Sequence, residues 1–341
     1  MPAYTAGSTE VAQLRTLLER RPTIAIVTHH NPDGDAVGSS LGLAHVLRAM
    51  GHTVQVVFPN RPPAHLQWMP GMDTALCHDE DRAPTAELVA NSDLVMVLDL
   101  NRSDRVGGLE QAVKDARMKV LIDHHRDPED MAQVMFSRPE VCATCELIYD
   151  IVLALDADTH LDRAAATCLY TGIVTDTGSF RFPSTSPHTM RVAAALMERG
   201  IDHAAVHGAV HDAHSFDRMR LLGYALQEKM QLLPGVPGAI IGLAQQELER
   251  FHFRPGDTEG FVNQPLSIAG MRLSVLAIER NNEVKLSFRS KGPLPVDQFA
   301  RIHFDGGGHA NAAGGRSTEP LDAVLAKLQQ LLPPFIQAHP A

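Results

Sequence analysis

The stretch Ile24-Ala-Ile-Val-Thr28-His29-His-Asn-Pro-Asp33-Gly-Asp35-Ala-Val-Gly38-Ser39 governs the reading of the fold. Its first five residues are aliphatic or β-branched without polar alternation, which suits a strand buried on both faces of a parallel sheet. A Pro/Gly turn follows, and a helical pattern from Ala36 to Met50 ends at Gly51, a favourable residue just past a helix. Strand character returns in Val54-Gln-Val-Val-Phe58. This is β-α-β order, and the chain is therefore of the α/β class.

Two further runs, Leu94-Val-Met-Val-Leu98 and Lys119-Val-Leu-Ile122, have the same continuous apolarity. The three buried runs lead into His29, Asp99 and Asp123-His124-His125, so polar, metal-competent residues occupy the carboxyl ends of candidate parallel strands. Open α/β sheets keep their sites at that edge. One loop can present His29, Asp33 and Asp35 to a single point, with Gly34 and Gly38 permitting close backbone approach. An Asp-Gly turn alone is commonplace; the other strand ends, and Asp176 in Asp176-Thr-Gly178-Ser-Phe-Arg181, supply the additional donors. Mixed carboxylate and imidazole ligation is enough for two divalent ions and fits Mn²⁺ better than Ca²⁺ or a thiolate-rich Zn²⁺ site. Paired ions are suited to in-line phosphoryl chemistry.

The totals set outer bounds. At 341 residues, 44% hydrophobic and 21% charged, the chain has the composition of a folded protein of one large domain or two. A net charge of -10 argues against binding long duplex nucleic acid, whose affinity depends on neutralising phosphates. Short phosphorylated ligands stay compatible, because a local site can override the global sign. No signal-peptide pattern and no span-length apolar run is present, so a cytoplasmic location without membrane attachment is expected. Four cysteines in a chain of this size do not form a disulfide framework and are expected to be reduced.

Helical patterns occupy Thr144 to Leu155, Arg163 to Thr175 and His188 to Arg199, and Asp202 to Lys229 reads as one or two helices without strands. After Pro234-Gly-Val-Pro-Gly238, strand-like runs at Ala239 to Leu243, Leu273 to Ile278 and Val284 to Phe288 mix with helical patterns at Val296 to His303 and Leu321 to Leu332. The second half is accordingly read as α+β around a mixed sheet.

These ordered motifs resemble the DHH phosphoesterase superfamily in its DHH plus DHHA1 form. The resemblance rests on His29-x-x-x-Asp33-x-Asp35, on Asp99 within Val97 to Gly107, on Asp123-His124-His125 and on Asp176 within Gly172 to Gly178. It rests also on Gly306-Gly-Gly-His309-Ala-Asn-Ala-Ala-Gly-Gly315, preceded by Arg289-Ser290. It implies a Rossmann-like DHH catalytic domain with a largely parallel sheet over 1–200, a helical connector over 201–235, and a smaller α+β DHHA1 substrate-binding domain over 236–341.

Carried over residue by residue, the resemblance implies that Asp35, Asp99, His124 and Asp176 hold one metal ion and His29, Asp33 and Asp99 the other, Asp99 bridging. Two Mn²⁺ are implied, with Mg²⁺ or Co²⁺ as substitutes. His125 faces the scissile phosphate as a proton donor, and Asp123 orients a ligand or shares a hydrogen bond. Arg289, Ser290, Gly306, Gly307, Gly308 and His309, the last placed at the start of a helix, bind the substrate, and Arg105 best matches a phosphate contact near the metals. A site clamped between two domains would measure short substrates.

Within the superfamily the chain is most similar to the compact group of bifunctional oligoribonucleases (nanoRNases) and 3′-phosphoadenosine-5′-phosphate phosphatases. The expected partners are thus RNA fragments of about two to five nucleotides and nucleotide bisphosphates, and a homodimer is compatible with this group. A phosphodiesterase of linear or cyclic dinucleotides is the alternative enzyme, and a non-catalytic metal-dependent nucleotide sensor the alternative from another class. Other features have plainer readings. His203, His207, His211 and His214 fit a partly solvated helix face, and Cys142 and Cys145 fit buried thiols packing a helix. Arg102 and Arg181 could neutralise a second phosphate but fit surface ion pairs better.

Overall fold

The computed structural model describes residues 2–340 and divides into two compact units, Met1–Ala213 and His214–Ala341. The first runs α1 (Thr9–Glu19), β1 (Thr23–Thr28), α2 (Gly34–Ala49), β2 (Thr53–Phe58), β3 (Leu76–Cys77), α3 (Arg82–Asn91), β4 (Leu94–Leu98), α4 (Glu110–Asp115), β5 (Lys119–Asp123) and β6 (Val134–Ser137). It closes with α5 (Thr144–Ala154), α6 (Arg163–Asp176), α7 (Pro187–Glu198) and α8 (His203–His211). The six strands form one parallel sheet in the order β3-β2-β1-β4-β5-β6. Every residue of β4 is buried, as continuous apolarity requires of a strand covered on both faces.

Strand order reverses between β1 and β4, which lie side by side, and β5 is the next neighbour. The three strand ends singled out from the sequence are therefore adjacent at the topological switch point, where open sheets leave a crevice. Helix α2 leaves β1 through this crevice and packs closely on α6. The contact is backbone-tight: a Cβ on Gly38 would lie 2.5 Å from the Cys168 carbonyl oxygen, and one on Gly172 would lie 2.9 Å from Asp35 Oδ1. Small residues let two helices approach until Asp35, at the start of α2, and Asp176, at the end of α6, share one place.

The second unit contains α9 (Phe216–Tyr224), β7 (Met230–Leu232), β8 (Gly238–Leu243), α10 (Gln245–Arg250), β9 (Leu273–Arg280), β10 (Glu283–Ser290), α11 (Val296–His303), β11 (Gly307–His309), β12 (Ala312–Ser317) and α12 (Leu321–Ala338). Its sheet, in the order β11-β12-β10-β9-β8-β7, is mixed: β8 and β9 are parallel and the other pairs antiparallel. Two differences from the sequence expectation occur here. Helix α12 continues through Pro333 and Pro334 to Ala338, because Leu332 and Ile336 are buried in the core and hold the last turn in place. His309 ends a hairpin strand and does not begin a helix. Gly308 has φ of 140°, and a Cβ there would lie 2.5 Å from the Ala312 carbonyl oxygen, so the glycine run closes a hairpin.

Among the described residues no helix is long and apolar enough to cross a membrane. All four cysteines are free thiols.

Candidate metal centre

Six side chains converge at the carboxyl edge of the first unit's sheet. His29 follows β1, Asp99 follows β4, and His124 follows β5. Asp33 caps α2, its Oδ1 accepting the N–H groups of Asp35 and Ala36 at 3.1 Å. Asp35 lies in the first turn of the same helix and is fully buried; Asp176 ends α6.

Asp99 is the centre of the arrangement. Its φ of 59° places a non-glycine residue in the left-handed region, a cost that structures retain at functional positions. Its two oxygens face different rings: Oδ2 lies 3.6 Å from His29 Nε2, while Oδ1 lies 3.5 Å from His124 Nε2 and 3.7 Å from His125 Nδ1. His29 Nε2 is 3.8 Å from Asp33 Oδ1, and His124 Nε2 is 3.8 Å from Asp35 Oδ2 and 3.3 Å from Asp176 Oδ2. Three donor sets result, namely His29, Asp33 and Asp99; Asp35, His124 and Asp176; and Asp99, His124 and His125, with the donor atoms of each set within 4.8 Å of one another.

These separations bear on whether the residues fit a metal. Most exceed a normal hydrogen bond, so the rings and carboxylates face one another without bonding directly. An ion held at about 2.0 to 2.2 Å keeps neighbouring donors roughly 3 to 3.5 Å apart, close to the spacing found. The rings are oriented for ligation as well. His29 Nδ1–H donates to the His30 carbonyl at 3.0 Å and His124 Nδ1–H to the Val141 carbonyl at 3.2 Å, which turns Nε2 of each toward the carboxylates. The donor set fits divalent cations with oxygen and nitrogen ligands.

Electrostatics point the same way. Burial pushes the Asp35 carboxyl up to about 7, with the charge of Asp99 adding to it. Burial and the charges of Asp35, Asp33 and Asp99 raise Asp176 well above the usual carboxylate range. At His29 burial opposes a charged ring, yet Asp33 and Asp99 outweigh it and push the pKa up to about 10. His124 is raised too, burial being overcome by Asp99 and Asp35. Burial likewise opposes a charged Asp99, but His29, His124 and His125 hold it well below the usual range. Negative charge is crowded here, and protons on the rings and carboxyls relieve it; a divalent cation would do the same.

Around the donors stands a supporting layer. His125 Nδ1–H donates to Asp123 Oδ1 at 2.7 Å, and the partner oxygen Asp123 Oδ2 is buried without a hydrogen bond. The amino end of α5 serves the carboxylates: Thr144 N–H donates to Asp35 Oδ2 at 2.6 Å, Cys145 N–H to Asp35 Oδ1 at 2.9 Å, and the Thr144 hydroxyl to Asp99 Oδ1 at 3.0 Å. The sequence reading did not single out Thr144. Its only signal was its place at the first turn of a helical pattern, where unpaired N–H groups favour an anion.

Arg105 lies on the turn after β4, its guanidinium donating to Asn101 Oδ1 at 3.4 Å and its carbonyl accepting His30 N–H at 2.6 Å. With His30, Asp79, Asp104, Gly107 and Gly108 it lines an open cavity of about 450 Å³. Arg102 is ion-paired with Asp104 at 3.1 Å, as its surface reading anticipated.

In the second unit, Arg289 pairs with Ala312 in the sheet and Ala312 pairs with His309. Directly paired residues face the same side, so Arg289 and His309 stand on one face across a small alanine, roughly 10 Å apart at their backbones. Ser290 is buried; its hydroxyl donates to the Leu294 carbonyl at 2.6 Å and accepts from Asn311 Nδ2 at 2.8 Å, which ties down the segment beyond Arg289. Gly306 lies just before β11, and Gly307 and Gly308 lie within it.

Comparison with known proteins places this geometry. The family model described as the DHH family, N-terminal domain, matches residues 23–173, and that of the DHHA1 domain matches residues 241–333. The chain is 32% identical to the bifunctional oligoribonuclease and PAP phosphatase NrnA of Thermus thermophilus, over 85% of this chain and 83% of that protein. It is 27% identical to the Bacillus subtilis protein of the same name, over 91% and 94%. A crystal structure of an exopolyphosphatase-related protein from Bacteroides fragilis is 34% identical and superposes with a TM-score of 0.94, covering 96% of this chain and 97% of that one.

Proposed function

Because the chain belongs to the DHH family of metal-dependent phosphoesterases, with a DHHA1 domain following, we propose that it hydrolyses RNA fragments of about two to five nucleotides to mononucleotides. The same site would remove the 3′-phosphate of 3′-phosphoadenosine-5′-phosphate. The carrying observation is the convergence of three donor groups, two of them sharing Asp99, in one crevice. The names of relatives that match over most of their length support the choice of substrates.

In this reading Asp35, Asp99, His124 and Asp176 hold one Mn²⁺ and His29, Asp33 and Asp99 the second. Bound there, the ions supply Lewis acidity toward the phosphoryl oxygens and lower the pKa of water. The chain's own residues do the rest. Thr144 and the amino end of α5 fix Asp35 and Asp99, so the donors need not reorganise during turnover. Asp123 accepts the Nδ1–H of His125, which assigns His125 Nε2 to deliver a proton to the leaving oxygen. Arg105 draws a phosphate into the neighbouring cavity. Arg289 and His309, with the backbone of Gly306 to Gly308, bind a phosphate or nucleotide, and Ser290 keeps Arg289 in position.

The test is an assay of the purified protein with Mn²⁺ against an RNA dinucleotide, a pentanucleotide, the adenosine bisphosphate, a cyclic dinucleotide and pyrophosphate. Mononucleotide from the linear RNAs and phosphate from the bisphosphate are expected. Turnover of the cyclic dinucleotide alone would replace this reading with that of a cyclic-dinucleotide phosphodiesterase.

A further inference from the structure

Three consecutive residues after α6 take the left-handed backbone region: Gly178 at φ 55°, Ser179 at 60° and Phe180 at 63°. One such residue is an ordinary helix ending. Two more that carry side chains are strained, and they persist only where the surroundings over-determine them. The backbone supplies part of that constraint. Gly178 N–H donates to the Thr175 carbonyl, Ser179 N–H to the Val174 carbonyl and Phe180 N–H to the Thr177 hydroxyl.

Helix α8 supplies the rest, through two of the histidines on its partly solvated face. Ser179 Oγ is hydrogen-bonded to His211 Nε2 at 2.7 Å, and the Tyr170 hydroxyl to His207 Nε2 at 3.3 Å. The rings of His207 and His211 are 5.8 Å apart, and those of Tyr170 and Phe180 are 6.1 Å apart. The contacts close a circuit from Tyr170 through His207, His211, Ser179 and Phe180 back to Tyr170. Arg181 leaves this turn tethered to it, Nε–H donating to the Gly178 carbonyl at 2.7 Å and its backbone N–H to the Thr177 carbonyl at 2.9 Å. Whatever fixes residues 178–180 fixes where Arg181 points.

We infer that His211, braced by His207, is a positioning residue for substrate binding, holding the strained turn after Asp176 so that Arg181 meets a substrate phosphate. The inference rests on the metal-dependent phosphoesterase activity and not on the choice of short RNA as substrate. Asp176 itself lies within the hydrogen-bonded ladder of α6 and does not depend on the turn. The predicted defect is therefore in binding, with metal affinity intact.

Steady-state kinetics on bis(p-nitrophenyl) phosphate and on an RNA dinucleotide, with Mn²⁺ binding followed by calorimetry, test this in His211→Ala, His211→Gln, Ser179→Ala and the Ser179→Ala/His211→Ala double variant. KM is expected to rise about tenfold in His211→Ala, the effect of weakening one charge-assisted hydrogen bond, with kcat within about twofold and Mn²⁺ affinity unchanged. Ser179→Ala and the double variant should match it, since both break the same contact, and the amide of His211→Gln should restore most of the loss. An unchanged KM in Ser179→Ala and His211→Ala, a loss that His211→Gln does not rescue, or weakened Mn²⁺ binding would overturn the inference. If His211→Ala fails to fold, Ser179→Ala carries the same comparison. A wild-type enzyme that cleaves the chromogenic diester but not the dinucleotide refutes the RNA reading, and the inference is then judged on the diester.

Discussion

The histidines at the strand ends, His29, His124 and His125, and those along α8, His203, His207 and His211, are equally conspicuous as residues and differ in what surrounds them. The first group is enclosed with Asp33, Asp35, Asp99, Asp123 and Asp176 at the switch point of a parallel sheet. Of the second group, His207 and His211 face the hydroxyls of Tyr170 and Ser179 from a half-exposed helix. Among the described residues regular helical spacing gathers no three-donor set, whereas imidazoles from separate strands converge with carboxylates into the candidate sets. Ligation depends on convergent carboxylates and on an Nδ1–H fixed by a backbone carbonyl, and of these histidines His29 and His124 have both.

The largest effect that would break this contrast is expected at Asp99. Asp99→Ala removes the carboxylate common to two donor groups and should lower kcat/KM by roughly a thousandfold or more, while His203→Ala leaves it unchanged; comparable losses in both would erase the distinction. Next comes the supporting layer. Asp123→Asn should cost about 10- to 100-fold in activity, because it disturbs the ring of His125 without deleting a candidate ligand, and near-normal turnover would show that His125 needs no orientation.

Metal addition sharpens the contrast without mutation. Mn²⁺ at about one hundred times its dissociation constant should stabilise the wild-type fold by about 2.7 kcal/mol for each ion bound, read as a rise in thermal midpoint, and Asp99→Ala should lose most of that response. A response that survives in Asp99→Ala would locate the ion elsewhere.

The smallest effect concerns pH, and the two groups should differ in sign. His29 is raised to about 10, so in ion-free protein its contribution is complete below the ordinary histidine value of about 6.5 and is lost as pH rises through about 10. His211 is lowered, first by burial and then by the neighbouring charge of His207. The unfolded chain then takes up that proton more readily, and stability falls as pH drops below about 6.5. Urea midpoints at pH 7.5 and 5.5 should show a slightly larger acid-side loss in wild type than in His211→Gln; equal losses would remove His211 from the account.

Much of the candidate centre was legible because it is local to strand ends. Continuous apolar runs identify buried parallel strands, and the polar residues that follow must then lie at the carboxyl edge, which points to His29, Asp99 and the Asp123-His124-His125 run, while the choice of His124 within that run came from the family resemblance. Thr144 was not legible, since a residue at a helix start gives no sign of which carboxylate its N–H will meet across the fold. Nor was the row formed by Arg289, Ala312 and His309, because hairpin register is set by glycines whose close approach is visible only once the strands pair.

The sequence by itself determined the α/β class, the order of the donors along the chain and the kind of ion they suit, because these follow from hydrophobic periodicity and from ligand chemistry. Tertiary structure alone decided that Asp99 turns its two oxygens toward different rings, that α5 clamps Asp35 and Asp99, and that α8 braces the turn after Asp176. Each depends on contacts between segments far apart in sequence, and such contacts arise from packing, which no local pattern encodes.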